Sequence, residues 1–273
     1  FGRSVGASVT VIHYISRIFT PIESLGMEIQ TIQSAMAGVK RIDAFLAQPE
    51  RTIPEERGSA ARGDIVLSHV TFGYGEKSVL TDFSMTVKQG KQVTLVGRTG
   101  AGKSTVFKLL FGLYPPESGS ITIGGVDVSD ITDSERRACI GCVEQHFSRV
   151  PGTVLDQITL GDARITEEMA KSAARLAGID AAIASLPEGY DTVCTDGMFS
   201  QGEWQLLSIA RAAAADPAVL LLDEITANLD AETEARVLEA LRRASEGRTV
   251  LSVSHRVYEN LGGRTIEIRP QPV

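Results

Sequence analysis

The sequence predicts an α/β fold, in which helices cover both faces of a central parallel sheet, preceded by one long helix. Beyond residue 64, short and continuously apolar runs alternate with helical patterns, as expected for strands that are buried on both faces. The first 47 residues contain almost no helix breaker. With 273 residues, of which 43% are hydrophobic, the chain has enough apolar side chains for one globular core and an appendage.

The N-terminal segment 1–47 is predicted to be a single long helix. Pro21 is the only strong breaker between Val5 and Ala47, and beyond it apolar residues recur at spacings of three or four, as on one helix face. These residues are Ile22, Leu25, Ile29, Ile32, Met36, Val39, Ile42 and Leu46. A helix of about 40 residues is roughly 60 Å long, about twice the thickness of the hydrocarbon core of a bilayer.

The part of this helix before Pro21 is predicted to be partly transmembrane. From Val5 to Phe19 the residues are apolar apart from scattered Ser and Thr, His13 and Arg17. The stretch is shorter than the run of about 18 apolar residues that a complete span requires, so we expect the inner end of a span and its cytoplasmic extension. A soluble coiled coil is the alternative explanation of the apolar seam, the row of apolar residues that shares one face of this helix.

A linker is predicted between this helix and a globular domain. Residues 48–63 contain two prolines, two glycines and a cluster of charges, a composition typical of connecting segments. We therefore expect a domain at 64–273. The chain begins at Phe1 and has no signal-peptide pattern, from which we expect a piece of a longer protein.

Short apolar runs bounded by turn residues predict the strands of the domain. They lie at 65–72, 83–87, 93–96, 121–123, 140–143, 219–222 and 249–253. Helical patterns at 166–177 and 181–185 follow one another without an intervening strand. They predict an inserted helical subdomain at about 150–215.

A phosphate-binding loop is predicted at 97–105, where the sequence fits GxxxxGK[ST] directly after the apolar run 93–96. Glycines let the backbone amides curl around phosphate oxygens, Lys103 reaches the terminal phosphates, and Ser104 can bind magnesium. The following helical pattern directs its N-terminal dipole at the anion. The candidate nucleotide-binding residues are Gly97, Arg98, Thr99, Gly100, Ala101, Gly102, Lys103, Ser104 and Thr105.

Two acids follow a second buried run. Residues 219–222 are apolar and lead to Asp223 and Glu224. In combination with the phosphate loop, this pattern predicts that Asp223 holds magnesium through water and that Glu224 polarises an attacking water.

Charge and cysteine content argue against two other kinds of site. The formal net charge is −7 and no dense Lys/Arg run occurs, so nucleic acid is not expected as a partner. Cys139 and Cys142 form a Cys-x-x-Cys pair, but no second pair or nearby histidines complete a zinc site. We interpret these cysteines as part of an apolar, strand-like run.

Together these residues resemble the ATP-binding cassette (ABC) transporters, of the exporter type that joins membrane and nucleotide-binding domains in one chain. The resemblance covers essentially the whole chain and implies a P-loop domain with a mixed central sheet and an inserted helical subdomain. Segment 1–47 resembles the last transmembrane helix and its extension. The motifs follow the family order: 97–105, 117–120, Gln145, 199–203, Asp223-Glu224, Asp230 and His255.

The resemblance implies further roles at matching positions. Tyr74 resembles the aromatic residue that stacks on adenine. Gln145 resembles the glutamine that contacts magnesium and links to the membrane domain. His255 resembles the histidine that contacts the γ-phosphate and orients water. Asp230 resembles part of a loop at the dimer interface, and Ser200 and Gly202 correspond to signature residues that contact the nucleotide of the opposite subunit.

The signature departs from the family pattern Leu-Ser-Gly-Gly-Gln, because this chain has Phe-Ser-Gln-Gly-Glu at 199–203. Gln201 adds a side chain where close backbone approach is expected, and Glu203 adds a negative charge near an anion. We therefore expect weaker binding of the nucleotide that this motif contacts. The combination of an altered signature with an intact phosphate loop favours a heterodimer with a second half-transporter. A homodimer is the alternative. The stretch 192–198 is also about two residues shorter than we expect from the family.

The function implied is MgATP binding and hydrolysis coupled to export, by a protein of the cell membrane whose nucleotide-binding domain is cytoplasmic. ATP and Mg²⁺ are the expected cofactors, and the bilayer and a transported small molecule, peptide or lipid are expected partners. Two alternatives are a regulatory cassette that binds ATP with little hydrolysis and a soluble DNA-maintenance ATPase of the same superfamily.

Overall fold

The computed structural model of the protein describes residues 2–47, 61–75, 77–98, 100–144, 147–223, 229–253 and 262–268. The chain divides into two compact units, Phe1–Ile53 and Pro54–Val273. Within the described residues, the first unit consists of one helix, and the second holds all the strands.

The helix of the first unit, α1 (Gly2–Leu46), is 45 residues long. It confirms the predicted long helix. Pro21 lies inside it, although a proline lacks the amide hydrogen that a helix interior uses. Residues of the predicted apolar seam are exposed, for example Ile29 and Ile32 at 55% and 57%. No helix within the described ranges is long and apolar enough to cross a membrane.

The second unit contains nine strands among its described residues. They are β1 (Ile65–Tyr74), β2 (Lys77–Val87), β3 (Gln92–Val96), β4 (Ser118–Ile123), β5 (Val126–Asp127), β6 (Ile140–Val143), β7 (Val219–Leu222), β8 (Thr249–Ser252) and β9 (Arg264–Glu267). The family resemblance implies a mixed central sheet, whereas among the described residues the antiparallel and the parallel strands form two separate hydrogen-bonded sheets.

The antiparallel sheet has the strand order β2-β1-β4-β5. β1 and β2 form a hairpin that pairs Ile65 with Val87 and Tyr74 with Lys77. Buried and less buried side chains alternate along most of β1, as expected where one face of a sheet covers the core. The hairpin therefore carries Tyr74 to its tip.

The parallel sheet has the strand order β6-β7-β8-β3-β9. All four pairings between these described strands are parallel, and every side chain of β7 and β8 is buried. This confirms that the continuous apolar runs are strands of a parallel sheet, because such strands are covered on both faces.

Seven helices accompany the sheets within the described part of the second unit. They are α2 (Lys103–Leu110), α3 (Asp133–Cys139), α4 (Val154–Thr159), α5 (Glu167–Ala177), α6 (Asp180–Ala184), α7 (Gln201–Ala213) and α8 (Ala231–Ser245). Side chains cap most of their N-termini. Thr132, Thr153 and Ser200 each form a capping box with the residue three positions later, which satisfies amide groups that a helix end leaves unpaired.

The helices α4 to α7 lie between β6 and β7, in the interval for which the sequence predicts a helical subdomain. Within the described residues 147–218, the β-structure is one isolated bridge, between Thr153 and Val193. α5 buries Ala170, Ala173, Ala174 and Ala177, which share one helix face, and it packs on α7 and α8. Small side chains allow these helices to pack closely.

The cysteine pair does not lie within a single strand. Cys139 ends α3, and Cys142 lies in β6. Burial raises the pKa of Cys139 to about 11 and that of Cys142 to about 12, with the charges of Glu144 and Asp223 adding to the second shift. Both thiols are therefore protonated at neutral pH.

Candidate functional site

The candidate catalytic segments meet at one edge of the parallel sheet. The phosphate loop follows β3, Glu144 follows β6, Asp223 follows β7, and Val253 follows β8. Because parallel strands have their carboxyl ends at the same edge, the order β6-β7-β8-β3 brings these four segments side by side. Segments that are far apart in the sequence thus form one edge.

Backbone hydrogen bonds extend this arrangement past the strand ends. The amide of Asp223 donates to the carbonyl of Val143 (3.0 Å), and the amide of Val253 donates to that of Leu222 (2.9 Å). The carboxylate of Asp223 is thereby carried on a fixed backbone one residue beyond β7.

The glycines of the phosphate loop adopt backbone conformations that other residues rarely adopt. Gly97, Gly100 and Gly102 have φ values of +152°, +84° and +100°. A methyl group at Gly97 would collide with the carbonyl oxygen of Ile268, and one at Gly102 would lie 2.9 Å from Val79 Cγ1. Both positions therefore require glycine for conformation and for space.

Lys103 begins α2 and folds back over the loop. Its Nζ donates to the carbonyl of Gly97 (2.8 Å) and to that of Arg98 (3.1 Å). Gly102 is the N-cap of α2 and makes no side-chain cap, so the first amides of this helix face the loop. The Lys103 ammonium and these amides together provide several hydrogen-bond donors for an anion.

The other residues of the loop differ in exposure. Arg98, Gly100 and Ser104 are exposed, whereas Ala101 and Thr105 are buried. The side chains of Ala101 and Thr105 are thus part of the core. Their expected contacts with the nucleotide would be made by their backbone atoms. Thr99 lies outside the described residues.

Three other predicted site residues also lie outside the described ranges: Gln145, Glu224 and His255. Their roles stay predictions. In the sequence, each follows the end of a strand of the parallel sheet by two or three residues.

The signature residues form the start of α7. Ser200 is the N-cap, and its hydroxyl accepts a hydrogen bond from the amide of Glu203 (3.3 Å). The Glu203 carboxylate in turn accepts from both the amide and the hydroxyl of Ser200, each at 2.8 Å. The predicted negative charge of Glu203 is therefore held at the helix N-terminus by the signature serine itself.

Gly202 is buried where α7 packs on α8. A methyl group at this position would collide with Cγ2 of Thr233. Asp230, predicted at a dimer interface, is the N-cap of α8 and accepts from the amides of Glu232 (3.1 Å) and Thr233 (3.0 Å). These hydrogen bonds lower the pKa of Asp230.

Sequence analysis missed an aromatic stack beside the signature. Trp204 stacks on Phe147, with ring centroids 5.0 Å apart and 26° between the planes, and Phe199 meets Trp204 edge-on at 5.0 Å. The guanidinium of Arg149 lies 5.7 Å from the Trp204 ring, and that of Arg211 lies 3.9 Å from the Phe147 ring. The available signal was that Trp204, the sole tryptophan, follows the signature directly.

Arg211 links this stack to α4 and to the segment that follows β6. It donates to the carbonyl of Gln157 (2.6 Å) and to that of Ser148 (2.8 Å), and burial lowers its pKa to about 10. Arg149 also pairs with Asp196. Segment 147–149 and the region before the signature are thus joined to α7.

A cavity of about 280 Å³ lies beside β6, next to this stack. Its walls include Cys142, Glu144, Leu160 and Arg211. Asp162 also lines it, with a side chain that is 9% exposed and accepts from Arg164 Nη2 (2.6 Å) and Nε (2.9 Å). The hydrogen bonds from Arg164 hold the pKa of Asp162 at about 2.

Comparison with known proteins identifies the family. Residues 80–227 match the family described as "ABC transporter", which includes the phosphate loop, the signature and Asp223. The chain belongs to the ABC transporter family.

Several relatives match nearly the whole chain. It is 35% identical to the putative ABC transporter ATP-binding protein exp8 of Streptococcus pneumoniae, over 94% of this chain and 45% of that protein. It is 37% identical to the mycobactin import ATP-binding/permease protein IrtB of Mycolicibacterium smegmatis, over 93% of this chain and 45% of that protein. The chain therefore spans less than half the length of these relatives.

A solved structure has the same fold. The structure of a bacterial Atm1-family ABC exporter with ATP bound matches with a TM-score of 0.72 and 31% identity, over 98% of this chain and 49% of the other. The match extends over almost all of the chain, including the segment of α1.

Proposed function

We propose that this chain is the ATP-binding and ATP-hydrolysing part of an ABC exporter. The observation that carries the proposal is the convergence of the phosphate loop, Asp223 and the segments leading to Gln145, Glu224 and His255 at one edge of the parallel sheet. In the family such an edge binds MgATP, and the solved relative holds ATP.

The residues of the loop fit the phosphates of ATP. Because Gly97 and Gly102 have no side chains, the backbone of the loop can lie close to neighbouring atoms. Lys103 Nζ now donates to two loop carbonyls, so it needs only to change partners to reach a terminal phosphate. The amides at the start of α2 donate to the same anion.

Magnesium fits the oxygen donors at this edge. Ser104, Gln145 and Asp223 would hold it, and Ser104 is exposed on the first turn of α2. Hydroxyl, amide and carboxylate oxygens are suitable ligands for this cation. When bound, the metal neutralises charge that develops on the transferred phosphoryl group.

Hydrolysis then depends on residues that position water and stabilise charge. We assign Glu224 as the residue that polarises the attacking water and His255 as the residue that orients it and contacts the γ-phosphate. Lys103 and the loop amides stabilise the charge of the transition state, which is the main source of catalysis in phosphoryl transfer.

Export would follow from dimerisation through two such sites. Each MgATP would lie between one phosphate loop and the signature of the other subunit, with Ser200 and Gly202 in that signature, and closure would move the attached membrane helices. We favour a heterodimer because this signature is altered at Gln201 and Glu203. A homodimer is the alternative.

The proposal divides the chain into the end of the last membrane helix and its extension (1–47), a linker (48–63) and a cytoplasmic ATP-binding domain (64–273). It places the protein in the cell membrane, with a small molecule, peptide or lipid as transported substrate. The Atm1-family relative supports export. IrtB is named as an import protein, so the export direction proposed here rests on the Atm1-family relative.

Nucleotide titration tests the proposal. The full chain should bind a fluorescent ATP analogue with magnesium, and Lys103→Ala should weaken binding at least tenfold, since one charged hydrogen bond contributes ~1.5–3 kcal/mol. Lys91→Ala, which removes an exposed lysine outside the loop, is the matched control. Equal affinity of wild type and Lys103→Ala would refute the phosphate-loop assignment.

A further inference from the structure

Three aromatic rings and one lysine form a cluster beside α2, which we call the tyrosine cluster. Its members are Phe72 and Tyr74 from β1, Lys108 from α2, and Tyr114 from the segment that follows α2. Phe72 is 5% exposed, whereas Tyr74 and Tyr114 are each 40% exposed. The cluster thus rises from the core to the surface and ends in two tyrosine rings.

Every ring of the cluster contacts the other two. Tyr74 lies 5.0 Å from Phe72 and 5.5 Å from Tyr114, with interplanar angles of 86° and 90°. Phe72 and Tyr114 lie 5.6 Å apart at 46°. Edge-to-face pairs at these distances are favourable. The Tyr74 ring is therefore held in one orientation by two neighbours instead of turning freely at the hairpin tip.

Lys108 lies over the ring of Tyr74, with Nζ 5.4 Å from the ring centroid, within the range of a cation–π contact. It is five residues after Lys103, and both lie on α2. One short helix thus carries the lysine of the phosphate loop at its start and a lysine that contacts Tyr74 near its end.

We propose that Tyr114 and Lys108 are positioning residues, which hold the Tyr74 ring in place to stack on the base of the bound nucleotide. This inference rests on the proposed function and on the role that the family resemblance implies for Tyr74, which is to stack on adenine. Lys108 lies over the Tyr74 ring, and the base would stack on the part of the ring that is exposed to solvent.

The physical basis is preorganisation. A free tyrosine loses side-chain freedom when it stacks on a base, which reduces affinity, whereas a ring that is already fixed loses little. Tyr114 contacts the ring at a right angle, and Lys108 lies over it. Their effect should therefore depend on the presence of a base and should be absent for the phosphates alone.

Calorimetric titration of the full chain with MgATP and with magnesium tripolyphosphate tests this. Tyr114→Leu should weaken ATP binding about two- to tenfold, and Lys108→Met about two- to fivefold, the usual strengths of an aromatic pair and a cation–π contact. Affinity for tripolyphosphate, which has no base, should stay unchanged. Tyr114→Phe keeps the ring and should bind ATP as wild type does.

Two further variants complete the test. In a Tyr74→Leu background, Tyr114→Leu should have no additional effect, because the residue acts through Tyr74. Tyr14→Leu, which changes a tyrosine of α1 in the other unit, should leave both affinities unchanged.

Equal losses for ATP and tripolyphosphate would overturn the inference, since they would indicate a general distortion of the phosphate loop. Unchanged ATP affinity in Tyr114→Leu and Lys108→Met would also overturn it. If wild type binds neither ligand, or if Lys103→Ala binds ATP as well as wild type does, the proposed function fails and this inference fails with it.

Discussion

The hydroxyl of Ser200 donates a 2.8 Å hydrogen bond to the carboxylate of Glu203. The same carboxylate accepts a hydrogen bond from the amide of Ser200. Both donors of the signature serine are therefore already bonded to a negatively charged side chain of the same chain. A phosphate of the opposite nucleotide would have to compete with this carboxylate for the serine hydroxyl, and the two negative charges would repel each other.

Replacing Gln201 with Gly and Glu203 with Gln should therefore increase MgATP hydrolysis by about tenfold, the effect of one charge-assisted hydrogen bond. The Glu203→Gln change would keep an amide oxygen that can cap α7 but would remove the charge. Steady-state ATPase rates of the full chain check this. Adding Ser200→Ala should abolish the gain, and a flat or lower rate in the double variant would mean that the altered motif suits its partner.

Gly202→Ala should destabilise the domain by ~1–3 kcal/mol, the usual cost of overpacking a core, because its methyl group would collide with Thr233 Cγ2. Chemical denaturation measures the loss. Thr233→Ser removes that methyl group and should restore stability in the double variant. Gly38→Ala, at a helical glycine with open space around it, should not destabilise the protein.

Phe147→Leu should lower stability by ~0.5–1.5 kcal/mol, since it removes the ring that stacks on Trp204. Trp204 is the sole tryptophan, so its fluorescence reports on this contact directly. We expect its emission to shift to the red as the indole becomes more exposed to water. Phe83→Leu changes a half-buried phenylalanine of β2, which packs against a different set of core residues, and should leave the emission as it is in wild type.

Asp162→Asn should cost up to ~2 kcal/mol at pH 7, because a pKa of about 2 against an ordinary value of 3.8 favours the folded state. The depressed pKa means that this stability is fully present above about pH 4 and disappears as the pH falls toward 2. Denaturation of both proteins at about pH 7, 4 and 2.5 should show the gap narrowing at low pH. A gap that is independent of pH would contradict the ion-pair explanation.

The elements that sequence analysis predicted correctly are those with local signals. The four-residue runs at 93–96 and 219–222 lie within strands, and their mostly apolar, mostly buried side chains are the local signal of strands that are covered on both faces. Helix α5 carries a helical pattern of small residues. The chain up to residue 47 lacked any strong breaker except Pro21, which the helix accommodates.

The features that the sequence did not predict depend on side-chain contacts, several of which join segments that are far apart in the chain. Sequence analysis treats Glu203 only as a negative charge near an anion. Its position three residues after Ser200 makes it a capping partner, and this spacing is itself a signal of a capping box. The stack of Phe147 on Trp204 and the bridge between Thr153 and Val193 join segments about 40 to 57 residues apart. No local pattern specifies such pairs.

In the proposed function this chain hydrolyses ATP through Glu224. MgATP hydrolysis by the full chain and by Glu224→Gln should be compared at high protein concentration, after both have been shown to bind ATP. We predict turnover by wild type that Glu224→Gln removes while ATP binding persists. Hydrolysis by Glu224→Gln at the wild-type rate would contradict the account.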